Sequence, residues 1–282
     1  MLRYLKYLLK KHFYTFLLKD KFSPTVQISL QALASEIKGK PYIFSDFQFN
    51  VFTYHGEDGL LFNLISRLEN IPKTFADIGA GNCVTGNCAN LAVNLGWYGL
   101  FIDANPKNIA IGKSFYSKLH LTRFNPPVVS CTKVTPANVN SLLKDNGFEG
   151  ETGVLSIDID GNDYWIWKAI DAIKPWVVII ECTVEFGGRE VVMPYSEGES
   201  HEQYSGSSIL SFCQLARQKK YSLVSANRYG YNLIFLRDDV LSVSDIPVLS
   251  PEELLNMPEA RKAFFNENVL NNLDFVNKHP TN

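Results

Sequence analysis

The chain has 282 residues, enough for one sizeable core with additions or for two small domains. At 46% hydrophobic and 20% charged residues its composition is ordinarily globular, which excludes long disorder. A formal charge of −2 lacks the excess of cations that a general nucleic-acid binder needs, so no nucleic-acid partner is expected. The five cysteines (Cys83, Cys88, Cys131, Cys182, Cys213) contain no C-x-x-C pair. They indicate small core residues in a reducing, cytoplasmic compartment, with neither a zinc site nor a disulfide framework. No apolar run approaches the length of a membrane span.

Residues 1–21 differ from the rest. Six cations (Arg3, Lys6, Lys10, Lys11, Lys19, Lys21) stand against one acid, Asp20, a local charge of +5. Leu2, Leu5, Leu9, Phe13 and Phe16 fall on one helical stripe with most cations to one side of it. Lysines interrupt every apolar run, so this is not the apolar region of a signal peptide. Two roles are open to such a helix: lying on an anionic membrane surface, or docking on its own domain or a partner subunit.

Further along, a helix is predicted from Val26 to Ile37, then an aromatic segment, Tyr42 to Phe52. Gly56-Glu57-Asp58-Gly59 opens a helix from Leu60 to Leu68, with acids near its positive N-terminus. Capping accounts for that placement, and so does service as the roof of a cofactor pocket. Thr74 to Ile78 reads as a buried strand that carries Asp77 near its end. Gly79 and Gly81 then force a tight turn where ligand atoms can approach the backbone. Gly86 to Leu95 is the helix that follows, and Tyr98 to Asp103 is a second strand, also ending in an acid. An acid about twenty residues beyond the glycines, at the tip of the second strand of a βαβ unit, is placed to hold two ribose hydroxyls. A dinucleotide fingerprint requires G-x-G-x-x-G, but Val84 stands at the third glycine and Asp77 precedes the first by two. A pyrophosphate is repelled by that carboxylate, whereas the cationic amino-acid end of S-adenosylmethionine is attracted. The order D-x-G-x-G resembles motif I of the class I S-adenosylmethionine-dependent methyltransferases. The alternative is a glycine turn in some other α/β sheet.

After Asp103 the alternation continues. Helices are predicted from Pro106 to Lys118, from Thr135-Pro136 through Leu143, from Trp165 to Ile173 and from Ser207 to Lys219. Strands are predicted over Val128–Cys131, Val154–Asp158, Trp176–Glu181, Tyr221–Ala226 and Asn232–Arg237, with Tyr229-Gly230 as a hairpin turn. Apolar strands alternating with helices imply a mostly parallel sheet covered on both faces. Ser250-Pro251-Glu252-Glu253 is a capping box, after which two short helices are expected.

Ser156-Ile157-Asp158-Ile159-Asp160-Gly161-Asn162-Asp163 is the second conspicuous cluster. Ligands of open α/β sheets bind outside the carboxyl ends of the strands, where Asp158, Asp160 and Glu181 are expected. Three converging carboxylates can hold Mg²⁺, or they can position a sugar hydroxyl and take its proton. An alternative is that Asp160 and Asn162 cap the next helix. A long polar loop between Glu181 and Ser207 suits an active-site lid and carries His201 as a candidate base; the competing reading is a solvated surface histidine.

With these residues in view, the chain resembles the FkbM-type S-adenosylmethionine-dependent methyltransferases, and more closely the branch found in bacterial polysaccharide and O-antigen gene clusters. The matching features are Gly56-Glu57-Asp58-Gly59, Asp77 to Asn82, Gly96-Trp97-Tyr98-Gly99, Asp103, Ser156 to Trp165 with Trp167, Glu181, Met193-Pro194-Tyr195 and Ser207-Ser208. The chain departs from the pattern at Cys83 and in its unmatched ends. The resemblance implies a class I methyltransferase (Rossmann-like) fold, a mostly parallel seven-stranded α/β sheet with helices on both faces and helical additions at each end. It divides the chain into a basic helical extension (1–50), a cofactor-binding domain (51–240) and a helical appendage (241–282).

It implies methylation of a small hydroxylated acceptor, a sugar or nucleotide sugar. The cysteines set the expected compartment as cytoplasmic, residues 1–21 leave peripheral contact with the inner face of the membrane open, and a homo-oligomer is equally open. Carried over by motif, Glu57, Asp77, Gly79, Gly81 and Asn82 belong to the methionine end of the cofactor site, Asp103 and Ala104 to the ribose, and Thr132 to the adenine border. Asp158 is a further cofactor-binding candidate. Asp160, Glu181 and His201 face the acceptor as catalytic candidates, and Asp158, Asp160 and Glu181 form the candidate Mg²⁺ set. Two alternatives stay open: a methyltransferase-like binding protein without catalysis, and an N-methyltransferase acting on peptide or protein.

Overall fold

Seven apolar segments of four to nine residues pair into one sheet, described by a computed structural model over residues 2–197, 206–265 and 270–271. The strands are β1 (Thr74–Ile78), β2 (Tyr98–Asp103), β3 (Val128–Cys131), β4 (Gly150–Ile157), β5 (Ile173–Glu181), β6 (Tyr221–Ala226) and β7 (Asn232–Arg237). Their order is β3-β2-β1-β4-β5-β7-β6, parallel throughout except for β7, which runs antiparallel between β5 and β6. The hairpin through Tyr229-Gly230 imposes that reversal, since a short connection joins only antiparallel neighbours. The mostly parallel seven-stranded architecture expected of a class I methyltransferase fold is therefore present.

Period-two alternation sends side chains to both faces, and both are covered. Phe75, Phe101, Val154, Val177 and Ile179 meet helices α3 (Glu57–Ile65), α4 (Ala89–Val93) and α5 (Pro106–Lys118) on one side. Ala76, Ile78, Leu155, Val178 and Phe235 meet α6 (Val139–Asp145), α7 (Asp163–Ala169) and α8 (Ile209–Gln218) on the other. At the amino end, α1 (Leu2–Leu17) lies along α5, and α2 (Pro24–Lys38) is capped by Ser23, whose side chain accepts from Val26 N. Towards the carboxyl end come α9 (Asp238–Leu241), α10 (Pro251–Leu255) and α11 (Pro258–Ala263). Ser250 and Glu253 form the anticipated capping box at α10.

The roof helix runs from Glu57 to Ile65, not from Leu60 to Leu68, and three further helices differ from their predicted bounds because a side chain takes backbone groups the helix would use. The helix expected from Gly86 begins only at Ala89, because the Asn82 side chain accepts from Val84 N and Thr85 N and holds that stretch as a turn. The helix expected from Pro136 begins at Val139, since Thr135 and Asn138 exchange two side-chain to backbone bonds ahead of it. The helix expected to reach Ile173 stops at Ala169; Asn140 Oδ1 accepts from Asp171 N and Ala172 N, and Ile173 already pairs with Gly150 in the sheet.

Trp167 is fully enclosed by Phe212, Tyr221 and Phe235, in the core under β5, β6 and β7. Trp167→Ala should destabilise the fold by about 3–5 kcal/mol in urea unfolding, the range for an unrelaxed aromatic cavity.

Candidate functional site

The strand order reverses between β1 and β4, so the chain leaves these neighbours in opposite directions and opens a crevice at their carboxyl ends. A cavity of about 290 Å³ lies there. Asp77, Gly79, Gly81 and Thr85 form one wall, Asp158, Glu181, Tyr231 and Asn232 another, and Thr53, Tyr54, His55 and Glu57 close it. Among the described residues no Lys or Arg contributes to this lining.

The two turn glycines have different reasons to be glycine. Gly79, at φ 82°, packs on the tip of β4; a Cβ there would stand 1.7 Å from the Asp158 carbonyl oxygen. Gly79 also borders the cavity, so packing on β4 is a second reason for glycine there beside the expected approach of a ligand. At Gly81, φ 53°, a Cβ would meet no atom within 4 Å, and the residue borders the cavity, so it keeps the open side of the turn. Asn82 holds the turn from within: its Oδ1 accepts from Val84 N and Thr85 N, and its Nδ2 donates to Thr85 Oγ1.

Asp77 is buried, and its Oδ2 has no hydrogen-bond partner among the described residues. Burial pushes its carboxyl up to about 6, opposed by bonds from Ser156 and Cys88. Asp103 ends β2 and accepts from Asn105 N at 2.7 Å; Thr132 N donates to its carbonyl at 3.1 Å, and Ala104 follows it, exposed. Asp103, Ala104 and Thr132 thus share one corner of the sheet edge, outside the residues that line the cavity.

Glu57 is a buried tie. Its Oε1 accepts from Asn227 Nδ2 at 2.8 Å and Asn232 Nδ2 at 3.0 Å, and its Oε2 accepts from His55 N at 2.9 Å. The roof helix is thereby fixed to the β6–β7 hairpin. Asn232 Oδ1 is left buried without a partner at the cavity wall. Beside it, Asp58 Oδ2 gathers Val51 N, Phe52 N, Thr53 N and Thr53 Oγ1 within 2.6–3.0 Å, which shapes the segment leading to Tyr54 and His55. Asn227 and Asn232 had no distinguishing signal in the sequence as site residues.

Asp158, Asp160 and Glu181 converge as predicted, with one carboxylate oxygen of each inside 4.8 Å of the others. Burial first, and then Asp158, pushes the Glu181 carboxyl far up; burial, Asp163 and Asp160 raise Asp158, and the two share a hydrogen bond. Asp160 sits at φ 58°, a left-handed position that only a tightly held loop maintains. The clamp is Asp163, whose oxygens accept from Ile159 N and Gly161 N at 2.9 Å each. Capping by Asp160 and Asn162, the other reading of this cluster, is replaced: Asn162 makes no side-chain cap. It instead exchanges bonds with Ser196, while Trp165 Nε1 donates to Met193 O, so the loop near 193–196 is anchored beside the acids. His201 lies outside the described residues.

Glu181 and Tyr231 also border a second cavity, of about 220 Å³, with Asp160, Asp163, Glu185 and Phe265. Two chambers thus meet at one carboxylate. Neither a protein-family model nor a curated protein matches the chain. Solved structures with similar folds include an O-methyltransferase from Bacillus cereus in complex with SAH (15% identity over 76% of this chain and 90% of that one, TM-score 0.43). They also include the mitomycin 7-O-methyltransferase (13%, 74% and 54%, TM-score 0.37) and the CurJ carbon methyltransferase (8%, 73% and 58%, TM-score 0.42). This chain spans just over half the length of the latter two. Such partial overlaps add nothing to the strand order and register described above.

Gly79→Ala should prevent stable folding or cost several kcal/mol, whereas Gly81→Ala should cost only about 1 kcal/mol for its φ, both read by urea unfolding. The Asp77 carboxyl titrates near ~4 in an unfolded chain, below its folded value of about 6. Its contribution to stability is therefore complete below pH ~4 and is lost as pH rises through 6. Asp77→Asn should accordingly stabilise the ligand-free protein at pH ~7.5 by about 1–3 kcal/mol and leave it nearly unchanged at pH ~4, by the same measurement.

Proposed function

We propose that the protein is an S-adenosylmethionine-dependent methyltransferase that acts on a hydroxyl of a small acceptor, a sugar or glycan precursor in surface polysaccharide biosynthesis. The observation that carries this reading is a cavity at the switch point whose buried polar atoms are acceptors: Asp77 Oδ2 and Asn232 Oδ1 lack donors, and no Lys or Arg balances the carboxylates. Unpaired buried acceptors call for a donor-rich, positively charged ligand. The residues fit the ammonium and sulfonium of S-adenosylmethionine. Asp77 would hold the amino-acid end with Gly81, Asp103 the ribose hydroxyls, and Ala104 and Thr132 the base. Bound there, the cofactor supplies an electrophilic methyl group.

The chain's own contribution is to hold an acceptor oxygen in line and take its proton. Glu181 faces both cavities, and with Asp158 its raised carboxyl lets one proton be shared between them. Asp160 would orient the acceptor from the second cavity. The same three carboxylates match the oxygen-donor set of Mg²⁺, which would acidify a bound hydroxyl. The free cysteines support a cytoplasmic setting.

A second reading, methylation of an amine, is favoured by the acidic and aromatic lining of the second cavity, Asp160, Glu185, Tyr231 and Phe265. Acceptor panels of sugars, nucleotide sugars and amines separate the two readings.

Calorimetric titration should give micromolar affinity for S-adenosylmethionine and S-adenosylhomocysteine, with a loss of at least tenfold in Asp103→Ala and in Asp77→Asn. No binding with or without Mg²⁺ would leave the glycine turn as a scaffold. On an identified acceptor, Asp160→Asn and Glu181→Gln should each lower kcat by about 10²–10⁴. Full turnover in both would remove them from the catalytic role. A chelator should abolish activity if the three acids hold Mg²⁺, and leave it intact if they act as acid and base alone.

A further inference from the structure

Helix α1 presents two unlike faces. Tyr7, Tyr14 and Leu18 turn inwards, where Tyr14 is buried and meets Phe115 of α5 edge-on. Ser114 Oγ and Lys118 Nζ of α5 donate to the carbonyls of Lys11 and His12, which fixes the helix on its own domain. The Tyr14 phenol also lies beside Asn82 and Thr85 of the glycine turn. The opposite face has no partner among the described residues. Leu5, Leu9, Phe13 and Phe16 follow one another at three- and four-residue steps and are all exposed, Phe13 by 55% and Phe16 by 68%.

Charge identifies what this stripe fits. Lys6 and Lys10 run along one border of it, and Lys19 Nζ stands over the Phe16 ring. With a net −2 for the whole chain and +5 in residues 1–21, the other 261 residues carry −7. The loop that leaves α5 directly after Lys118 adds Leu121, Arg123 and Phe124, the last 91% exposed with the Arg123 guanidinium over its ring. A second copy placed face to face would bring two cationic helices together. An anionic bilayer satisfies both demands: acyl chains for the leucines and phenylalanines, headgroups for the snorkelling lysines. No helix among the described residues is long and apolar enough to cross a membrane, so the contact lies in the interface plane.

We propose that the outer face of α1, Leu5, Leu9, Phe13 and Phe16 with Lys6 and Lys10, binds the surface of an anionic lipid bilayer. The proposal does not depend on the methyltransferase reading. Its test uses the purified full-length protein and neither cofactor nor acceptor.

The experiment is co-sedimentation with vesicles of phosphatidylcholine alone and with about 30% phosphatidylglycerol, in ~0.1 M and ~0.5 M salt, beside light scattering of the free protein. The expected result is binding to the anionic vesicles, at least tenfold weaker binding to the neutral ones, and release by salt. The doubles Phe13→Ser with Phe16→Ser, and Lys6→Glu with Lys10→Glu, should each lower binding at least tenfold while the melting temperature stays unchanged. Absence of sedimentation, equal binding to neutral vesicles, or a solution dimer that the phenylalanine double dissolves would each overturn the proposal.

Discussion

Uncompensated negative charge at the carboxyl edge of the sheet is the constraint on which the site depends. Asp77 and Asp158 line one cavity, Asp160 the next, and Glu181 both, without a lysine or arginine in either lining. Burying carboxylates costs free energy unless each is paired, bonded or protonated. The protein uses all three remedies short of a cation. Asp58 collects four donors, Asp163 clamps two backbone amides, and Asp158 and Glu181 share a hydrogen bond under raised carboxyl values. Asp77 Oδ2 at the cavity's glycine wall has no donor among the described residues, and neither have Asn232 Oδ1 on the facing wall and Asp58 Oδ1 behind the roof.

The supporting structure is arranged to maintain this unfavourable state. Gly79 lets the tip of β4 pass within contact of the first turn, which brings Asp158 beside Asp77. Glu57 ties the roof helix to Asn227 and Asn232 of the hairpin, so the two sides of the crevice are joined across a long sequence separation. Strain at Asp160, held by Asp163, is the kind of local cost a rigid surround sustains at a functional site.

The sheet was legible in the chain because its strands are short apolar runs buried on both faces, and that pattern needs no tertiary information. Helix starts were less legible. Asn82, Thr135 and Asn140 each capture backbone amides that a periodicity argument assigns to a helix, and such captures depend on side-chain geometry. In the site, Asp77, Asp103 and the three converging acids could be placed from the ends of their strands. Asn232, Asn227 and Tyr231 could not, because their part in the cavity arises only when the antiparallel hairpin docks β7 against β5.

Helix α1 shows how far amphipathicity reaches as evidence. Its stripe of leucine and phenylalanine is the more hydrophobic face, and burial energetics alone would turn it inwards. The fold instead buries the tyrosine face, because Tyr14 meets Phe115 edge-on and its phenol reaches the polar side chains of the glycine turn, which a phenylalanine could not satisfy. Polar requirements at the site therefore select which face docks. The apolar stripe is left outside as a consequence, and the lysines beside it set the kind of surface that can cover it. One tyrosine thus links the glycine turn to the helix that faces outwards.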